Sequence, residues 1–140
     1  MTQLIIVAAV AIVALGVGWF VQQQAPDVPT APVNHTTPDQ VDRADFARPD
    51  AEWLVAVFTS ATCETCAKVW TSTQLVESEE VAIHNSEVKD EADIHKKYNI
   101  TAVPSVVIAD AQGVARGSFL GPPSSADLWA TLAEVREQQI

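Results

Sequence analysis

The chain has 140 residues and a formal net charge of −10, with 18 acidic side chains against 8 basic ones, so no electrostatic attraction draws it to nucleic acid or to an anionic bilayer surface. Much of its apolar content sits at the N-terminus, which leaves a soluble part of about 100 residues, enough for one domain with one modest core. Only two cysteines occur, at 63 and 66. That usage fits an oxidising compartment without excluding a cytosolic redox protein.

Residues 4–21 (LIIVAAVAIVALGVGWFV) carry no charge and would run about 27 Å as a helix, just enough to cross a hydrocarbon core. We read this stretch as a single uncleaved transmembrane anchor. A cleaved signal peptide is the rival, weakened because no basic residue precedes Leu4 and because Gln23-Gln24-Ala25 makes a poor small-x-small cleavage site. A buried soluble helix would need a cover that the following tract does not offer. The first basic residue is Arg43, so only the α-amino group of Met1 and the acidic Asp27 bias the orientation; both favour an extracytoplasmic position for the rest of the chain. Trp19 and Phe20 would then lie at the outer interface. Residues 22–39 contain Pro26, Pro29, Pro32 and Pro38 and no apolar period, the mark of a proline-rich linker that extends roughly 3 Å per residue.

Residues 40–140 form the globular part. Val41 and Phe46 are its first apolar anchors, on a short edge strand or a turn of helix. Residues 53–58 (WLVAVF) are continuously apolar and rich in strand formers, which predicts a central strand buried on both faces. From 63 to about 78 the spacing predicts a helix with Cys66, Val69, Trp70 and Thr73 along one face. A second strand follows at 81–84, then a helix at 90–98 with acids in its first turn and bases in its last, matching the helix dipole. Asn99 is a natural left-handed cap. Pro104 lacks a ladder N–H and belongs at the start of the strand that ends at Ile108, where a cis bond is possible. Residues 110–113 (DAQG) turn the chain into an antiparallel hairpin ending at Leu120. After Gly121-Pro122-Pro123, Ser124 or Ser125 caps a last helix whose Leu128, Leu132 and Val135, with Trp129 beside them, face the sheet.

Cys63 and Cys66 fall where the first strand gives way to a helix. A sulfur there sits over the orphan N–H groups of the helix N-terminus, which favour thiolate over thiol. The spacing of three returns the second thiol within one turn, so the pair can close a disulfide locally and reopen it by exchange. Three other readings compete. Half of a zinc site needs further ligands, and His35, His84 and His95 are not paired at ligand spacing. A purely structural disulfide over so short a loop is a poor staple. Two unrelated buried cysteines fit badly with the strand-to-helix position. No metal and no cofactor beyond the redox-active disulfide itself is expected.

The order strand, Cys-x-x-Cys helix, strand, helix, Val-Pro strand, hairpin strand and final helix resembles the thioredoxin superfamily over residues of about 40 to 140. Residues 58–66 resemble the family's strand and active-site turn, Tyr98-Asn99-Ile100 its Tyr-Gly-Ile, Val103-Pro104-Ser105 its Ile-Pro-Thr, and Leu120-Gly121 its late Val-Gly. The resemblance implies an α/β thioredoxin-like fold, a central mixed sheet flanked by helices, here preceded by the transmembrane helix. It implies thiol–disulfide exchange with protein thiols and disulfides, with Cys63 as nucleophile and Cys66 as resolving thiol. Pro104 becomes the cis-proline beside the disulfide, and Val103 joins it in the loop that guides the partner backbone. The chain departs from the pattern at Thr62, where Trp is usual, at Glu64-Thr65, which replace Gly-Pro and would tune the Cys63 pKa, and at Val57, where the family has a buried acid. A redox-inert binding module, or an accessory of cytochrome or cofactor maturation, are the alternative functions compatible with the same motifs.

Overall fold

In the computed structural model, which describes Met1, Gln3 and residues 36–138, the apolar run becomes strand β1, Trp53–Thr59, with every side chain buried. Side chains alternate along a strand, so β1 feeds two cores at once. Trp53, Val55 and Val57 join Val69, Val106, Ile108, Leu128, Leu132 and Val135 on one face; Leu54, Ala56 and Phe58 join Val41, Phe46, Tyr98 and Val107 on the other. Each large apolar side chain fully withdrawn from water contributes about 1.5–3 kcal/mol, which makes β1 the axis of the fold.

Helix α1, Glu64–Gln74, follows β1, then strand β2, Val81–Glu87, helix α2, Ala92–Lys97, strand β3, Ser105–Ala109, strand β4, Ala115–Leu120, and helix α3, Ser125–Glu137. The sheet order is β2-β1-β3-β4. β1 runs parallel to β2 and antiparallel to β3, and β3 pairs antiparallel with β4, a mixed sheet as expected. Val69 on α1 and Leu128, Leu132 and Val135 on α3 cover one face, while Ile94 on α2 and a 3-10 turn at Arg43–Asp45 pack on the other. All of these elements lie in the compact unit Asn34–Ile140.

Several boundaries move. α1 stops at Gln74, short of 78, because the Ser78 N–H turns to the Val81 carbonyl (3.1 Å) and its Oγ receives the Val81 N–H (3.2 Å), which steers the chain into β2. β2 extends three residues past the expected 84, held by its in-register ladder with β1 as far as Thr59↔Glu87. α2 is shorter than 90–98, with Glu91 and Tyr98 as its flanking residues; Asn99 takes the left-handed conformation (φ 51°) that the sequence suggested. Trp129 is a correction: it is half exposed, because on a helix the residue next to Leu128 points about 100° away from it. Ser124, not Ser125, is the α3 cap, its Oγ accepting the Asp127 N–H.

At the far end of the β3–β4 turn Gly113 has φ +80°, and a Cβ there would lie 1.9 Å from the Val41 carbonyl oxygen. Only glycine fits. That close approach lets Val41 N–H reach the Gly113 carbonyl (2.8 Å) and Ala115 N–H reach the Asp39 carbonyl (2.9 Å). The last residues of the stretch read as linker are therefore already tied to the hairpin. The expected anchor at 4–21 and residues 22–35 lie outside the described residues. Among the described residues no helix is long and apolar enough to cross a membrane.

Candidate functional site

The turn out of β1 is built from small hydroxyl residues that fold back on themselves: Cys63 N–H donates to the Ser60 carbonyl (3.0 Å), and the Ser60 and Thr62 hydroxyls lie 3.1 Å apart. The turn delivers Cys63 to the position just outside α1, with extended backbone (φ −96°, ψ 102°). Its Sγ accepts the Cys66 N–H at 3.1 Å, so the sulfur itself caps the helix. Cys63 and Cys66 are joined in a disulfide, with Cα atoms 5.2 Å apart. Cys66 is 1 % exposed and Cys63 half-buried, so Cys63 is the more accessible of the two.

The other residues singled out by sequence lie in different surroundings. Glu64 and Thr65 occupy the first turn of α1 and are exposed; the Glu64 side chain is 91 % accessible, with Oε1 4.0 Å from Lys68 Nζ. The Val103–Pro104 peptide is cis. Pro104 is buried and Val103 half-buried; the loop is anchored where the Pro104 carbonyl accepts the Gly121 N–H (2.8 Å) and Ser105 Oγ donates to the Ala102 carbonyl (2.8 Å). Val57, in place of an acid, lies fully inside the apolar core. Among the described residues no cluster of His, Cys, Asp and Glu is arranged to hold a metal ion.

Sequence reasoning missed the wall opposite α1. A cleft of about 200 Å³ opens beside the sulfurs, lined by Cys63, Cys66 and Trp70 on one side and by Thr59, Asn85 and Glu87 on the other. Thr59 Oγ1 donates to Asn85 Oδ1 at 2.7 Å, and the Val88 N–H reaches the Thr59 carbonyl at 3.0 Å. Glu87 Oε1 accepts the Ala61 N–H (2.8 Å), and Oε2 accepts those of Lys89 (2.7 Å) and Asp90 (3.2 Å). The Ala61 N–H first, against a smaller burial penalty, and then the Lys89 and Asp90 N–H groups hold this carboxyl below its ordinary range. Only the parallel register Thr59↔Glu87 brings it here. The one signal in the sequence was an acid closing a β-rich stretch, too common to be read.

The family model of the thioredoxin domain matches residues 54–120, a span that includes both cysteines and the Val103–Pro104 loop. Among solved structures, Fasciola hepatica thioredoxin is 22 % identical, with 61 % of this chain and 83 % of that one covered and a TM-score of 0.54. Mitochondrial thioredoxin 3 from Saccharomyces cerevisiae, oxidised form, is 23 % identical (61 % and 81 % covered, TM-score 0.52). The oxidised thioredoxin of Plasmodium falciparum is 16 % identical (60 % and 81 % covered, TM-score 0.52). No curated protein sequence matches the chain. These likenesses fix the architecture as the thioredoxin-like α/β fold.

Proposed function

We propose that this chain, a thiol–disulfide oxidoreductase with a thioredoxin-like domain, works at a membrane, tethered by residues 4–21 with its domain on the extracytoplasmic side, and exchanges its Cys63/Cys66 dithiol–disulfide with partner proteins. The observation that carries the exchange reading is the capping sulfur: Cys63 is half-buried and its Sγ receives the Cys66 N–H at 3.1 Å, while Cys66 is buried. The composition and position of residues 4–21 support the tether, and the following prolines support a spacer between it and the domain.

In the reducing direction the Cys63 thiolate attacks one sulfur of a partner disulfide, forming a mixed disulfide and expelling a partner thiolate. Cys66, deprotonated, then attacks Cys63 Sγ, closes the Cys63–Cys66 bond and releases the second partner thiolate; two electrons pass to the partner, and protons from solvent complete its thiols. The reverse sequence oxidises a partner dithiol. The Val103–Pro104 loop is the proposed guide for the partner backbone; Glu64 and Thr65 flank the thiolate from the first turn of α1, where the exposed Glu64 carboxylate is screened by solvent.

The test is a trapping pair. With Cys66→Ser the mixed disulfide with the partner accumulates, because attack proceeds and resolution does not; with Cys63→Ser no adduct forms. Equal absence of adducts in both variants, on full-length protein in membranes, removes the exchange reading and leaves a redox-inert binding module. Recovery of the wild type in the soluble fraction with an N-terminus near Ala25 removes the tether.

A further inference from the structure

The turn that presents Cys63 is gripped by a side chain from another strand. Glu87 stands at the last position of β2, opposite Thr59 at the last position of β1. Its two carboxylate oxygens face opposite ways along the chain: one to Ala61, two residues ahead of Cys63, and one to the Lys89 and Asp90 amides that lead into α2. All three partners are N–H donors. An ionised carboxylate, which only accepts, satisfies both sides at once; an amide satisfies one side and turns its own NH₂ on the other.

Resting on the exchange reading above, we propose that Glu87 is a positioning residue for that reaction: its carboxylate clamps the 60–62 turn to the end of β2 and holds a fixed negative charge in the cleft that Cys63 and Cys66 share. The charge is fixed because three N–H groups stabilise the ionised form, which also makes Glu87 a weak base and unsuited to carry a proton to or from Cys66. It does not stand in for the acid missing at Val57. The other charges nearby are the exposed Lys89 and Asp90 beside it, the exposed Glu64 and Lys68 on α1, and the half-buried Glu91, whose carboxylate is turned to His84. Of the carboxylates around the disulfide, Glu87 is the one lining the cleft with the sulfurs.

Such a charge raises the energy of the Cys63 thiolate. For like charges on the order of 8–10 Å apart in an effective dielectric of about 40–80, Coulomb's law makes removal of one a two- to sixfold rise in the acid constant of the other, the change expected at Cys63. The experiment compares wild type, E87Q and E87D as full-length protein in detergent. Thiolate absorbance against pH reads the reduced form, and hydrogen exchange at the Ala61, Lys89 and Asp90 amides reads the oxidised one. E87Q, with the size kept and the charge gone, gives the two- to sixfold rise and loses protection on one side, at the Ala61 amide or at the Lys89 and Asp90 amides. E87D, with the charge kept but one methylene too short to reach both sides, leaves the acid constant within twofold and still frees Ala61. An unchanged Cys63 titration in E87Q, or Ala61, Lys89 and Asp90 amides all as protected in E87Q as in wild type, overturns the proposal. Both readouts need no turnover, so they stand apart from a failure of the wild type to exchange with glutathione, which would remove the functional reading instead.

Discussion

Two carboxylates fasten the two ends of one sheet, and they are finished differently. Beyond β3, at the end away from the cysteines, Asp110 is fully buried: Oδ1 accepts the N–H groups of Gln112 (3.0 Å) and Val114 (2.9 Å), and Oδ2 accepts Arg116 Nε (2.7 Å). Arg43, itself buried, donates to the Asp110 carbonyl at 2.9 Å. Burial alone would push the Asp110 carboxyl up, but Arg116 and the two N–H groups outweigh it and hold it below its ordinary range. Glu87, at the cysteine end, also gathers N–H donors, yet it remains partly exposed, beside a cleft and an exposed Lys89. The same chemistry thus serves two ends. Where a cation closes the network, the charge is used up in rigidity; where the network stays open, the charge remains available to a neighbouring sulfur.

The sharpest way to separate the ends is to strike each in turn. Cys63→Ser should abolish exchange with glutathione while lowering stability by at most about 2 kcal/mol, since so short a disulfide loop constrains the unfolded chain little. Asp110→Ala should do the opposite. Leaving Arg116 and two N–H groups without their acceptor should cost about 3 kcal/mol in urea unfolding, with the exchange rate per folded molecule unchanged within about twofold. A loss of exchange in the folded Asp110 variant would show that the two ends are coupled through β3.

Acid sharpens the comparison further. The folded state holds Asp110 below its ordinary range, as it does Asp45, first through the hydrogen bond from Lys97 and then that from Tyr98. The unfolded chain therefore binds protons more readily, so the stability these groups supply is present above about pH 4 and is lost as pH falls through their depressed values. Urea midpoints taken from pH 7 to 2 should fall at the acid end, and fall less steeply in Asp110→Ala. A wild-type midpoint that holds constant to pH 2 would contradict this account. The smallest effect should come from Glu64→Gln. Its carboxylate is directed toward Lys68 and into solvent, where salt screens it, so thiolate absorbance should place Cys63 less than about twofold from wild type, below the change expected for E87Q. A larger shift in the Glu64 variant would transfer the tuning role to that residue.

What lies close together along the chain was legible in the sequence itself. The continuous apolar run identified β1, the turn at 110–113 identified the β3–β4 hairpin, and Asn99 marked a left-handed cap, because strand propensity, turn chemistry and left-handed φ are properties of local stereochemistry. The Cys-x-x-Cys pair at a helix start was legible for the same reason: three residues of one turn place both sulfurs. What the sequence left undecided depends on partners distant along the chain. The end of α1 was set by Ser78 and Val81, the exposure of Trp129 by which α3 stripe the sheet accepts, and the length of β2 by its ladder with β1. Glu87 is the clearest case. Nothing in its own neighbourhood distinguishes it from the other exposed acids of an acidic chain; it becomes part of the cysteine site only because parallel pairing of β1 and β2, a contact closed across more than twenty residues, sets it against the turn that carries Cys63.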